Sequence, residues 1–264
     1  MKEPRLSELS WPKVAEIMDK PNVIILPMGS TEQHGAHLPL NVDSICATSI
    51  AEKAACKVME TTDIYVLVAP TIHYTDVSTH KMFPGTIGIK ADTLVRVLYD
   101  IVASLLVQGF RNIILFSSHH ENNCPMEMAL RLISADNKDT NVFAITSMGL
   151  GFDVRPGLIK AGVAGQGHAL EIETSMSMVL QPQNVHLEKV LKGSRKLPLS
   201  TRYIGEAGSD KTRGVVYCSG ITGFEESGIL GDPTMSSKEQ GEKIFSAMIK
   251  DLADIIVQVS KVKK

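Results

Sequence analysis

Four short runs of almost wholly apolar, largely β-branched residues, at 23–26, 64–68, 112–116 and 142–145, alternate along the chain with longer segments of helical period. A strand that is apolar on both faces must be covered on both, and each connection here is long enough to hold a helix. The runs are therefore expected to form a mostly parallel sheet with helices on its two sides, an α/β fold. Helical periodicity is clearest at 91–108, where Leu94, Val97, Leu98, Ile101, Val102, Leu105 and Leu106 share a face and Gly109 follows the last turn. Further helices are expected at about 44–59, 125–135 and 236–259, and one opening at His168. Ser10-Trp11-Pro12 looks like a cap and a first-turn proline, starting a short helix that runs to about Met18. A short strand is expected at 87–89 after the turn Phe83-Pro84-Gly85-Thr86, and irregular or edge structure over 183–231. Residues 1–264 read as a single domain.

Composition narrows the partners. With 44% hydrophobic residues the chain can bury an ordinary core, and a net charge of −2 leaves no basic footprint for nucleic acid or an anionic membrane. Small molecules remain as partners. No charged-then-apolar leader and no apolar run of about 18 residues is present, so a cytoplasmic protein is expected. Cys46, Cys56, Cys124 and Cys218 lack C-x-x-C spacing and read as reduced.

Each apolar run is followed by a polar cluster, and a parallel sheet brings the carboxyl ends of its strands to one edge, where ligands bind. After the first run comes Gly29-Ser30-Thr31-Glu32-Gln33-His34-Gly35-Ala36-His37-Leu38-Pro39-Leu40-Asn41-Val42-Asp43. Glu32 and His34 are two apart, so in an extended backbone both leave the same face. Asp43 stands at the threshold of the next helix, where an N-cap is the alternative reading. The second run leads into residues 71–80, a polar loop too long for a simple connection, with His73, Ser78 and His80. The third leads into His119-x-Glu121. Beyond the fourth, the glycine-rich stretch 162–167 delivers His168, with Glu171 and Glu173 after it.

As a set, Glu32, His34, Asp43, His119 and Glu121 offer three carboxylates and two imidazoles without a thiolate, a donor set for Zn, Mn or Fe. They exceed the needs of one catalytic ion and fit two divalent ions, about 3.5 Å apart, sharing a carboxylate. Asp43 is the natural bridge; Glu32, Asp43 and His119 would take one ion, and His34, Asp43 and Glu121 the other. Ions lower the pKa of bound water from 15.7 to about 7, roughly 12 kcal/mol, so a bridging hydroxide is the expected nucleophile. His168 is the candidate for proton transfer, with Glu121 beside it, although His168 capping its helix remains an alternative. Ser78, His80, His120 and Gly167 are candidate substrate contacts. His37 and Glu173 read as partners that orient the ligands, His37 alternatively as a surface residue, and Glu171 as a helix-start charge. His73 is uninformative, and His186 reads as a surface residue.

The first motif, together with Phe83-Pro84-Gly85-Thr86, His119-His120-Glu121-Asn122, Glu173-Thr174-Ser175 and Gly231-Asp232-Pro233, resembles the creatininase family over nearly the whole chain. The resemblance implies a three-layer α/β/α sandwich, a binuclear metal centre on Glu32, His34, Asp43, His119 and Glu121, an active-site histidine at His168, and a homohexamer. Two departures bear on substrate. The regions matching the family's pocket tryptophans read Thr146-Ser147-Met148-Gly149 and Ala164-Gly165-Gln166-Gly167, and His120 replaces a tyrosine. Without indole walls a flat cationic ring loses its stacking surface, so a substrate other than creatinine is expected. The family also includes deformylases, a peptidase of cofactor maturation and a hydrolase of oxidised inositols. The expected activity is hydrolysis of a small polar, often cyclic, amide or carbonyl compound. Carbon–carbon cleavage of an oxidised inositol is the first alternative and a non-catalytic, metal-stabilised binding or assembly protein the second.

Overall fold

The computed structural model describes residues 2–161, 167–192 and 227–262. Expectations for 162–166, for Cys218, for most of 183–231 and for the last two lysines fall outside them. Four strands, β1 (Asn22–Met28), β2 (Tyr65–Val68), β3 (Asn112–Ser117) and β4 (Asn141–Thr146), form one parallel sheet in the order β2-β1-β3-β4. The helices are α1 (Trp11–Met18), α2 (Val42–Thr61), α3 (Ala91–Gln108), α4 (Asn123–Asp136), α5 (Arg155–Leu158), α6 (Glu171–Leu180) and α7 (Lys238–Val259).

From β1 the chain steps to β2 on one side, then returns past β1 to β3 and β4 on the other. Right-handed crossovers place α2 on one face of such a sheet and α3 and α4 on the opposite face. The packing agrees: α2 lies against α6 and α7, and α3 against α4. The result is a mixed α/β sandwich of three layers. Apart from its first residue, each of β1 and β3 is buried throughout, which is why their sequences are apolar without alternation. The direction of winding reverses between these two strands, and the crevice outside their carboxyl ends is where such a sheet takes ligands. Met28 pairs with Ser117 there, so the two richest polar segments leave the sheet side by side.

Three expectations are corrected. Residues 87–89 do not join the sheet; Ile87 N–H donates to Thr31 O at 2.9 Å in an isolated antiparallel bridge, and Ile89 N–H to Thr75 O at 2.9 Å, pinning this segment onto the first motif and the 71–80 loop. The helix expected from His168 starts at Glu171, because Ala169 takes φ 59°, a left-handed conformation that a helix cannot pass through. Helix α2 begins at Val42 and so includes Asp43, with Asn41 in the N-cap position. Ser10 does occupy the N-cap of α1, but its side chain makes no capping bond.

Candidate metal centre and its surroundings

Three buried or nearly buried imidazoles converge at the crevice, and each is tied by one ring nitrogen to a main-chain carbonyl. His34 Nδ1 lies 3.1 Å from Glu32 O, His119 Nε2 2.7 Å from Asp76 O, and His168 Nε2 2.6 Å from Gln33 O. A carbonyl only accepts, so these nitrogens carry the hydrogen, and in the neutral ring the other nitrogen presents a lone pair. Those other nitrogens all face carboxylates. His119 Nδ1 is 3.0 Å from Asp43 Oδ2 and 3.2 Å from Glu32 Oε1, and His168 Nδ1 is 3.5 Å from Glu32 Oε1. His34 Nε2 is 3.5 Å from Asp43 Oδ1, 3.8 Å from Glu173 Oε2 and 3.9 Å from Glu32 Oε1.

Lone pairs turned on carboxylate oxygens repel unless a proton or a cation lies between them. Ring nitrogens fixed by a carbonyl on the far side are how metal-binding histidines are oriented. Glu32 Oε2 and His34 Nε2, both among the donors that converge here, are buried without a hydrogen-bond partner among the described residues, as expected of atoms arranged for an ion. The donor groups that come within 4.8 Å of one another are Glu32, Asp43 and His119; His34, His168 and Glu173; and Glu32, His80 and His168. Oxygen and imidazole donors without sulfur suit Zn, Mn or Fe, so the residues fit divalent metal.

The electrostatics point the same way. Burial opposes a charged His34, yet Asp43, Glu173 and Glu32 push its pKa up to about 10. His119 is raised likewise, burial being outweighed by Glu32, Asp43 and Glu121. Burial also works against an ionised Asp43, but His34 and His119 hold its carboxyl well below the usual range. Glu173 keeps 25% of its side chain accessible while its carboxylate reaches into the cluster, and burial there lifts its pKa to about 7. The cluster is short of positive charge, and protons supply it when metal does not.

Asp43 is no helix cap: its Oδ2 accepts from Ser30 Oγ at 2.7 Å, and its two oxygens face different imidazoles. Glu121 is not gathered with His34. It sits in a 3-10 turn, His120–Asn122, so His119-x-Glu121 is not extended; its Oε2 lies 3.8 Å from the outer nitrogen of His119, and Thr79 donates to its Oε1. Glu173 stands by His34 instead. His37 is fully buried, with Nε2 2.9 Å from the Thr174 hydroxyl. His80 is buried with its ring 4.1 Å from that of His168. Ser78 is exposed and bound to Asp76 Oδ1, His120 is exposed 3.4 Å from the Asn123 amide, and Gly167, at φ 143°, opens the turn that carries His168. His73 and His186 are also exposed, as read for His186, which meets Glu188 at 3.4 Å.

Two residues had no functional reading in the sequence. Gln33, 6% exposed, joins His80, His168 and Gly228. Glu171 does stand in the first turn of α6, as read, but it is buried there and accepts from Lys160 N–H and Ala161 N–H, both at 2.8 Å, and from the Gln240 amide. It thereby fixes the chain entering the stretch before His168. No local pattern distinguishes such an anchor from an exposed acid in a first turn.

The left-handed Ala169 has a measurable consequence. Its N–H donates to Glu173 Oε2 at 2.5 Å, so the strained turn places both His168 and Glu173. Ala169→Gly is expected to fold and bind metal as the wild type does. Ala169→Val, β-branched at positive φ in a fully buried position, is expected to lose about 2 kcal/mol or more of stability and part of its metal. Thermal melts and elemental analysis of the two variants check this; equal behaviour would show that the turn is not what places these side chains.

The sequence model of the creatininase family, described as creatinine amidohydrolase, matches residues 7–256. The mycofactocin precursor peptide peptidase of Mycobacterium tuberculosis is 29% identical over 253 residues, 94% of this chain and 90% of that protein. The creatinine amidohydrolase of Pseudomonas putida is 28% identical over 266 residues, 95% of each chain. A crystal structure of creatinine amidohydrolase (creatininase) superposes with a TM-score of 0.81 at 25% identity, covering 100% of both chains.

Proposed function

The chain belongs to the creatininase family of hydrolases, and on that premise we propose that it hydrolyses amide C–N bonds of small polar substrates with two divalent ions, Zn, Mn or Fe. The observation that carries this reading is the set of three imidazoles, each held by a main-chain carbonyl and turned on buried carboxylates. Glu32, Asp43 and His119 would hold one ion, as read from the sequence. His34 and Glu173, with the second oxygen of Asp43 3.5 Å from His34, would hold the other, Glu173 taking the place first given to Glu121. Divalent ions, when bound, lower the pKa of water and polarise a carbonyl.

The chain's own residues do the rest. Asp43 offers one oxygen to each site, and Ser30 fixes its plane. His168, its Nε2–H held by the Gln33 carbonyl, keeps Nδ1 as the group that receives the proton released by the attacking water and delivers it to the leaving nitrogen. Glu121, outside the two donor sets, places its charge beside the outer nitrogen of His119, 3.8 Å away, and so favours the ring orientation that turns Nδ1 on Asp43 and Glu32. Ser78, His80, His120 and Gly167 line the approach of substrate.

Amide cleavage is the chemistry that the names of both relatives share, one acting on creatinine and the other on a peptide. The only tryptophan, Trp11, is 82% exposed in α1, which leads into the amino end of β1, the opposite edge of the sheet from the donors. The site therefore has no indole for stacking a flat ring, and a substrate other than creatinine is favoured. One domain over 1–264, a homohexamer and a cytoplasmic location complete the proposal. None of the described helices is long and apolar enough to cross a membrane.

Elemental analysis of protein purified without added metal is expected to give about two ions per chain, the number that two donor sets hold. A turnover screen of creatinine, formamides, short peptides and oxidised inositols on the same sample is expected to find an amide cleaved. Chelation should abolish turnover and leave the circular dichroism spectrum of a folded chain. A metal content near zero that added metal cannot restore, or unfolding on chelation, would overturn the catalytic reading. Metal uptake should also release protons. His34, raised to about 10, and His119, also raised, must give up theirs to bind, so affinity is expected to tighten as pH rises from 6 towards 9. Titration calorimetry in buffers of different ionisation enthalpy measures that release, and a pH-independent affinity would contradict it.

A further inference from the structure

The side-chain amide of Gln33 is enclosed by groups from three other parts of the chain. Its Oε1 accepts from Gly35 N–H at 2.8 Å, which settles which end of the amide is nitrogen. Its Nε2 then lies 2.8 Å from Gly228 O, 2.9 Å from His80 Nδ1 and 2.9 Å from His168 Nε2. An amide nitrogen has two hydrogens, so only two of these three neighbours can receive one.

The third is identified by its own partner. His168 Nε2 is 2.6 Å from the Gln33 main-chain oxygen, and two acceptors do not approach so closely, so His168 Nε2 carries a hydrogen and cannot accept another. The amide hydrogens go to Gly228 O and His80 Nδ1. A neutral imidazole accepting at Nδ1 carries its hydrogen on Nε2. One residue thus specifies both rings, His168 through its carbonyl and His80 through its amide. Residue 228 is built to let it do so: a Cβ on Gly228 would lie 2.1 Å from Gln33 Oε1 and 2.6 Å from its Cδ.

We propose that Gln33 is a positioning residue that sets which ring nitrogen of His80 and of His168 carries the hydrogen. His80 is then a neutral donor through Nε2–H, and His168, with its ring 4.1 Å away, a neutral acceptor through Nδ1. A donor and an acceptor side by side are what an amide substrate needs, one for its carbonyl oxygen and one for the proton passed to nitrogen. That use of the pair rests on the hydrolase reading above; the placement of the hydrogens does not.

The test is nitrogen-15 NMR of histidine-labelled protein, zinc-loaded and metal-free, with the two signals assigned by their loss in His80→Gln and His168→Gln. In the wild type both rings are expected as the Nε2–H form. In Gln33→Glu, whose carboxylate only accepts, the His80 hydrogen is expected to move to Nδ1 or the ring to become protonated. Gln33→Met is expected to give a mixture of both His80 forms, and Gly228→Ala, which displaces the amide without removing it, a mixture as well. His80 found in the Nδ1–H form in the wild type would overturn the proposal without any variant. So would an unchanged His80 signal in folded Gln33→Glu and Gln33→Met. Zinc content measured on the same samples reports separately on the metal reading.

Discussion

Asp43→Asn is expected to fold and to retain neither ion. Each carboxylate oxygen of Asp43 faces a different imidazole, Oδ1 towards His34 at 3.5 Å and Oδ2 towards His119 at 3.0 Å, and the asparagine amide can replace one oxygen but not both. It also lacks the negative charge that offsets two divalent cations. Altering groups that merely orient a ligand costs 10–100-fold in metal affinity, so removing a ligand shared by two sites should cost at least about 100-fold at each. The shape of the side chain is kept, and its remaining oxygen still accepts from Ser30, so the substitution should leave the fold intact. Two comparison variants give the result its meaning. Glu173→Gln touches only the set around His34 and should empty one site, whereas Glu121→Gln, outside both sets, should leave two ions bound and lower turnover. Metal per chain after dialysis, read beside circular dichroism, decides among these outcomes. Asp43→Asn protein that keeps two ions would remove the bridge from the mechanism, and Glu121→Gln protein that loses one would return Glu121 to the ligand set.

Much of this site was legible in the chain because its chemistry is local. Glu32 and His34 belong to one short segment, and the parallel sheet could be read from runs such as 112–116, which are apolar on both faces. From the sheet it followed that segments from β1 and β3 would meet at one edge. What could not be read depends on backbone conformations that the residue types do not announce. Residue types alone give Glu121 to the ion at His34 without showing how the segment bends, and a 3-10 turn over His120–Asn122 sets its Oε2 3.8 Å from the outer nitrogen of His119. A helix was expected to open at His168, and the left-handed Ala169 delays it until Glu171. That same delay carries Glu173, read only as an orienting partner, to within 3.8 Å of His34. The anchoring of Glu171 by Lys160 and Ala161 amides, and the reach of Gln33 to Gly228, 195 residues away, are tertiary facts with no periodic trace.

Gly29→Ala is expected to be among the most damaging single-methyl changes at the described glycines, although nothing in the residue suggests chemistry. Its φ is not positive, so conformational freedom is not the reason for glycine here. The reason is distance: a Cβ at this position would lie 2.3 Å from Ser44 N, 2.5 Å from Ser44 Cα and 2.6 Å from Asp43 C. All three are main-chain atoms in the first turn of α2, so no side chain can rotate away, and relief requires α2 and the end of β1 to separate. Overpacking a rigid interior costs 1–3 kcal/mol when side chains yield, so at least about 3 kcal/mol is expected where only backbone can move. In a domain of this size that lowers the melting temperature by about 6–12 °C. The same separation lengthens the Ser30–Asp43 hydrogen bond of 2.7 Å and carries Asp43 away from His34 and His119, so metal should be lost along with stability. Gly157→Ala is the control: in α5 an added Cβ meets no described atom within 4 Å, and replacing a helical glycine should be neutral or gain about 0.5–1 kcal/mol. If Gly29→Ala melts with the wild type and keeps its metal, the close approach of β1 to α2 is not what holds Asp43 in the site.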